Sequence, residues 1–213
     1  MTSNAFFEIA GVVAEDPVHQ LAGVDSSALH ATMLHWLATS GGVDRIWELA
    51  GLRGPFCLPE GATSDLAARR GQILLDDGFG LSKAVIQCCF ESCPSADELE
   101  VHRARALNSF KLRQIDDVKW NVFTLGSRAV PFGSAWRAVS IDEVIAAVEE
   151  SGISSDPAAQ AYCRYLGRLV ELRDAAELLG GDGFVGLSKS GRLGLKESGV
   201  LSICELAEQY WLA

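Results

Sequence analysis

Arg70-Gly71-Gln72-Ile73-Leu74-Leu75-Asp76-Asp77, followed after a glycine-bearing stretch by Ala84-Val85-Ile86-Gln87-Cys88-Cys89-Phe90, decides how this chain is read. Short apolar runs bounded by turn residues read as buried strands. Asp76-Asp77-Gly78-Phe79-Gly80 separates the two runs, and Asp-Gly between apolar runs is a strong turn signal. Strands are therefore expected over 72–76 and 84–90. Alternate strand residues share a face, which places Gln87 and Cys89 on one side and Cys88 on the other.

Working toward the N-terminus, Leu29, Met33, Trp36 and Leu37 recur at helical spacing and predict a helix over 26–39, capped by Asp25 or Ser26. Gly41-Gly42 ends it. Val43, Ile46, Trp47 and Ala50 predict a second, short helix, and 56–58 a short strand that stops at Pro59. Toward the C-terminus, Ser95 and Glu98 form a capping box that opens a helix to about Arg113. Lys119–Leu125, rich in aromatic and β-branched residues, predicts a strand, as does Trp136–Val139. Ser140 and Glu143 open a helix to about Ser151. Asp156-Pro157 opens a long one, with Leu166, Leu169 and Leu172 on its apolar face, that stops at Gly180-Gly181. Phe184–Leu195 predicts a hairpin and 199–212 a last helix. The expected fold class is α/β, a mixed central sheet flanked by helices. Residues 1–179 would form one domain, with the hairpin and helix of 180–213 packed on it.

The chain has 213 residues, enough for a single well-buried core. Hydrophobic residues make up 48% and charged residues 22%, as in an ordinary globular protein. No apolar run approaches the ~20 residues that span a bilayer, so no membrane association is expected. Met1-Thr2-Ser3-Asn4 lacks a basic leader, which predicts a cytoplasmic location. Six cysteines in such a setting read as free thiols. The net charge of −10 opposes nucleic-acid binding, which draws on a basic footprint, even though Arg103, Arg105, Lys111 and Arg113 lie close together.

The order of these pieces resembles the PD-(D/E)XK nuclease superfamily over roughly residues 25–173. Leu29–Leu37 fits the apolar pattern of that family's opening helix, and Glu60 falls near its first acid. The strand-turn-strand follows, then Glu98-Leu99-Glu100-Val101-His102 in the register of its Q-L-x-x-Y helix. Val122–Leu125 matches its later strand, and Trp136 with the Ser140 helix its continuation. The resemblance implies a restriction-endonuclease-like fold. In the family the first strand of the hairpin carries an Asp and the second Glu-x-Lys. Here Gln72 stands near the Asp place and Gln87-x-Cys89 replaces Glu-x-Lys.

That departure bears directly on the chemistry. The family's acids hold Mg²⁺, a hard cation that takes carboxylate and water oxygens, and the Lys supports the attacking water. Two glutamines remove about two negative charges from such a site, and a thiol does not replace an ammonium. The expectation is a degenerate PD-(D/E)XK-like protein, a pseudo-nuclease with no metal and no cofactor. It would act as a binding or regulatory module in a bacterial defence or immunity setting, with a protein partner or a small-molecule ligand; an oligomer is compatible with this. A second reading re-uses the cleft for metal-independent small-molecule chemistry by an enzyme of another class. Its candidate residues are Gln72, Gln87, Cys89, Glu91 and His102. A third is a metal-dependent nuclease whose acids have migrated to Glu60, Asp76 and Glu91.

Other motifs read more plainly. Cys88 and Cys89 point to opposite faces and do not share a metal. Gly183–Ser190 departs from a P-loop and lacks the strand before it and the helix after it. His30 and His35 are five apart, not the four of a zinc-protease helix. Trp47, Trp120, Trp136 and Trp211 read as core or interface residues.

Overall fold

The computed structural model describes residues 3–22, 26–39, 41–53, 71–76, 82–91, 94–112, 117–125 and 135–185. The elements are α1 (Ser3–Ala14), α2 (Pro17–Ala22), α3 (Ser26–Thr39), α4 (Asp44–Leu49), β1 (Gln72–Asp76) and β2 (Ser82–Cys89). They continue with α5 (Ala96–Ser109), β3 (Asp117–Thr124), β4 (Arg137–Ser140), α6 (Ile141–Glu150), a 3-10 turn (Gly152–Ser155) and α7 (Pro157–Val185). The strands form one mixed sheet in the order β1-β2-β3-β4. β1 runs antiparallel to β2, whereas β2–β3 and β3–β4 are parallel. α5 is the crossover that parallel β2 and β3 require.

The capping signals act as expected. The Ser95 hydroxyl accepts from Glu98 N–H and the Glu98 carboxylate accepts from Ser95 N–H; Ser140 and Glu143 repeat the arrangement at α6. Asp156 Oδ1 accepts from the amides of Ala158 and Ala159, and Pro157 takes the first helical position, where no N–H is needed. Gly42, at φ +66°, turns the chain out of α3.

Three boundaries differ clearly from the sequence reading, and two helices are new. β2 begins at Ser82, two residues early, because Ser82 pairs with Asp117 of β3 and Lys83 pairs with Asp76 of β1. α5 ends at Ser109 rather than about Arg113. Lys111 adopts a left-handed φ of 53° and Leu112 N–H reaches back to Leu107 O at 3.0 Å, a helix-closing turn made here without glycine. α7 does not stop at Gly180-Gly181; the helix runs through both and through Phe184 to Val185. A helix-interior glycine costs only ~1 kcal/mol, which a long packed helix tolerates. α1 and α2 were not foreseen at all. The strand expected at 56–58, the rest of the C-terminal hairpin and the last helix fall outside the described residues.

The sheet is covered on both faces. On one, Ile73, Ile86, Cys88 and Phe123 meet α3 and α7 through Leu34, Leu37, Leu166 and Leu169. On the other, Val85, Cys89 and Val122 meet Leu99 and Ala106 of α5 and Phe110 at its C-cap, with Trp136 beside them. Burial on both faces explains why β2 from Ala84 to Cys89 reads as a continuous apolar run interrupted only by Gln87. Among the described residues no helix is long and apolar enough to cross a membrane.

Candidate functional site

Gln72 and Gln87 are direct partners across the β1–β2 ladder. The neighbouring pair, Gly71 and Cys88, is hydrogen-bonded, with Cys88 N–H donating to Gly71 O at 2.8 Å. Hydrogen-bonded and non-hydrogen-bonded pairs alternate, so Gln72 and Gln87 form the second kind, whose Cα atoms stand only about 4.5 Å apart. Their exposures are 1% and 2%. Gln72 Nε2 donates to the carbonyl of His102 on α5 at 2.9 Å. The oxygens of both amides, Gln72 Oε1 and Gln87 Oε1, have no hydrogen-bond partner among the described residues.

Cys89 shares the Gln87 face and is buried against α5. His102 is half-buried; burial first, and then Arg105, hold its imidazole below its ordinary value, with Glu98 opposing. Gln72, Gln87, Cys89 and His102 thus belong to one layer between the sheet and α5.

Glu91 belongs to the other layer. It lies just past β2, and its Oε1 accepts from Tyr165 O–H at 2.6 Å and meets His30 Nε2 at 3.2 Å. His30 Nδ1 shares a hydrogen bond with the Tyr162 hydroxyl at 2.9 Å. The Tyr165 proton is committed to Glu91, so His19 Nδ1–H is the donor in its 3.0 Å bond to Tyr165. The His30 ring stacks on Tyr165 and meets Phe90 edge-on. Burial alone would raise the Glu91 carboxyl. The hydrogen bond and charge of His30, followed by the Tyr165 bond and the His19 charge, outweigh burial and leave the carboxyl below its ordinary value. Burial first, and Glu91 with it, push the Tyr165 phenol far up. Nearby, Asp16 caps α2 through Val18 N–H at 2.8 Å and pairs with Arg168 of α7.

The sequence reading did not find this network. A signal for it existed: His30, Leu34 and Leu37 fall on one helical stripe, and Tyr162, Tyr165, Leu166 and Leu169 on another. A histidine on an otherwise apolar stripe announces a buried partner.

Of the acids that a migrated metal site would use, Glu60 lies outside the described residues. Asp76 sits at the far end of β1 from Gln72, opposite Lys83, and Glu91 is across the sheet from Gln72. Among the described residues no group of three or more His, Cys, Asp and Glu is placed to hold a metal ion. A depression of about 410 Å³ between α6 and α7 is lined by Val148, Glu149, Ala159, Gln160, Cys163 and Arg164. None of the five candidate residues lines it. Burial and Glu149 push the Cys163 thiol up to about 11, so it stays protonated and poorly nucleophilic.

Comparison with protein-family models, curated proteins and solved structures finds no match to this chain. The chemistry of the two layers is the basis for a functional reading.

Proposed function

We propose that this chain is a PD-(D/E)XK-like, restriction-endonuclease-like domain whose catalytic centre has become neutral, and that it works as a binding or regulatory module. The observation that carries the reading is the direct pairing of Gln72 with Gln87. The family places one acid on each strand of this hairpin so that both reach one Mg²⁺. Two residues that stand side by side across the ladder satisfy that geometry, and two amides in those places lack the charge it requires. A helix before an antiparallel hairpin, then a crossover helix to a parallel strand, is compatible with the same reading. The net charge of −10 suits a partner with a basic face. The bacterial defence or immunity setting comes from the resemblance alone.

The test restores what the pair has lost. Titration calorimetry with Mn²⁺ compares the parent with Gln72→Asp/Gln87→Glu/Cys89→Lys, with circular dichroism to check folding. The expected result is no Mn²⁺ binding by the parent and measurable binding by the triple variant. If the triple variant does not fold, Gln72→Asp/Gln87→Glu takes its place. Tight Mn²⁺ binding by the parent, or a folded restored variant that ignores the ion, overturns the reading.

A further inference from the structure

We propose that the depression between α6 and α7 is a binding site for a free amino acid with an apolar side chain, a small zwitterion held between Glu149 and Arg164. The proposal stands apart from the Gln72–Gln87 layer, none of whose residues borders this cavity.

Space, an apolar floor and charge occur together here. The cavity measures about 410 Å³, toward the small end of ligand pockets, which run from roughly 300 to 1,000 Å³. Val148 and Ala159 on its floor are buried, and half-buried Cys163 adds a thiol that stays protonated. The rim is polar and exposed. Glu149 comes from the last turn of α6, and Gln160 and Arg164 stand one turn apart on the same face of α7. The next charges along each helix are engaged, Glu150 with Arg45 and Arg168 with Asp16. Glu149 and Arg164 have no ion-pair partner among the described residues, and they do not pair with each other across the cavity.

The chemistry of the occupant follows from that leftover pair. A simple anion would suit Arg164 and be repelled by Glu149; a simple cation would meet the reverse. A neutral apolar guest would take water from both charges and give nothing back. A molecule carrying an ammonium and a carboxylate answers each of them. The guanidinium fork of Arg164 matches a carboxylate with two parallel N–H donors. Glu149 accepts from the ammonium, and the carbonyl end of α6 adds partial negative charge beside it. Gln160 offers both a donor and an acceptor at the same rim. An aliphatic side chain laid on Val148, Ala159 and Cys163 leaves water for an apolar surface.

The experiment follows the backbone amide signals of Val148, Ala159, Gln160 and Cys163 in the full chain by NMR during titration with leucine. N-acetylleucine lacks the ammonium, leucinamide lacks the carboxylate, N-acetylleucinamide lacks both, and glycine keeps both but has no side chain. Leucine is expected to give saturable shifts at these positions. Each singly blocked form is expected to bind about fivefold more weakly or worse. Glu149→Gln should erase the preference for leucine over N-acetylleucine, and Arg164→Gln the preference over leucinamide. Both side chains are exposed, so these variants keep the fold. No saturable shift with leucine, equal binding of a singly blocked form or of glycine, or preferences that survive the substitutions overturn the proposal. N-acetylleucinamide binding as tightly as leucine would mark the groove as a docking place for a peptide segment and overturns it equally.

Discussion

The hydroxyl of Tyr165 donates to Glu91 Oε1 at 2.6 Å, fastening α7 to the residue just past the central strand. The same hydroxyl oxygen accepts from His19. Tyr165→Phe therefore removes a donor from a buried carboxylate and an acceptor from a histidine at once. A loss of about 1–3 kcal/mol is expected, read as a lower urea midpoint at neutral pH. An unchanged midpoint would show that the network carries no net stability.

The pH dependence has two separate windows. Glu91 is held below its unfolded value of 4.5, so its contribution is present above that value and is lost as pH falls through the folded one. His102 is also lowered in the fold, here by burial. The unfolded chain binds that proton first, and stability declines as pH drops below 6.5. Urea midpoints measured against pH should flatten below pH 4.5 in Glu91→Gln and between 6.5 and the folded His102 value in His102→Gln. Profiles parallel to the parent's would contradict these assignments.

Gln87→Leu should stabilise the protein. Its buried Oε1 has no partner among the described residues, and Val85, Cys89 and Leu99 already make that layer apolar. Removing an unmet buried acceptor is expected to contribute about 1–3 kcal/mol, visible as a higher melting temperature. Gln72→Leu should gain less, because it also gives up the bond to His102 O. The reverse order would mean that the Gln87 amide is the better-satisfied one.

Gly71→Ala should destabilise by about 1–3 kcal/mol. Its φ is +71°, and an added Cβ would sit 2.6 Å from Ser27 Cβ and 3.1 Å from Gln87 Nε2. Gly152→Ala is the control, with nothing within 4 Å of the added carbon. Comparing chemical denaturation of the two variants checks the claim; equal midpoints would refute it.

Much of the architecture was legible because it is written in local chemistry. Ser95 with Glu98, Ser140 with Glu143, and Asp156 before Pro157 each opened a helix where expected. Strand alternation placed Gln87 and Cys89 together. What stayed hidden has physical causes. α1 is the exception: Ile9, Ala10 and Val13 fall at helical spacing and Ser3 and Asn4 are capping residues, so its signal was present in the sequence. The end of α5 depends on a left-handed Lys111, a conformation that no sequence rule assigns to lysine. The layer of Glu91 is set by partners as distant along the chain as Tyr165, with α2, α3 and α7 all contributing. Spacing near residue 91 says nothing about such long-range company.

His30 and Tyr162 are 132 positions apart in the chain yet share a buried hydrogen bond. During synthesis the ribosome finishes all four described strands before it makes that tyrosine. Until then the histidine and Glu91 have no phenols to satisfy them, and the apolar face that α7 will cover stays wet. A nascent or prematurely terminated chain is thus held open at this face, where a chaperone or a protease can recognise it as unfinished.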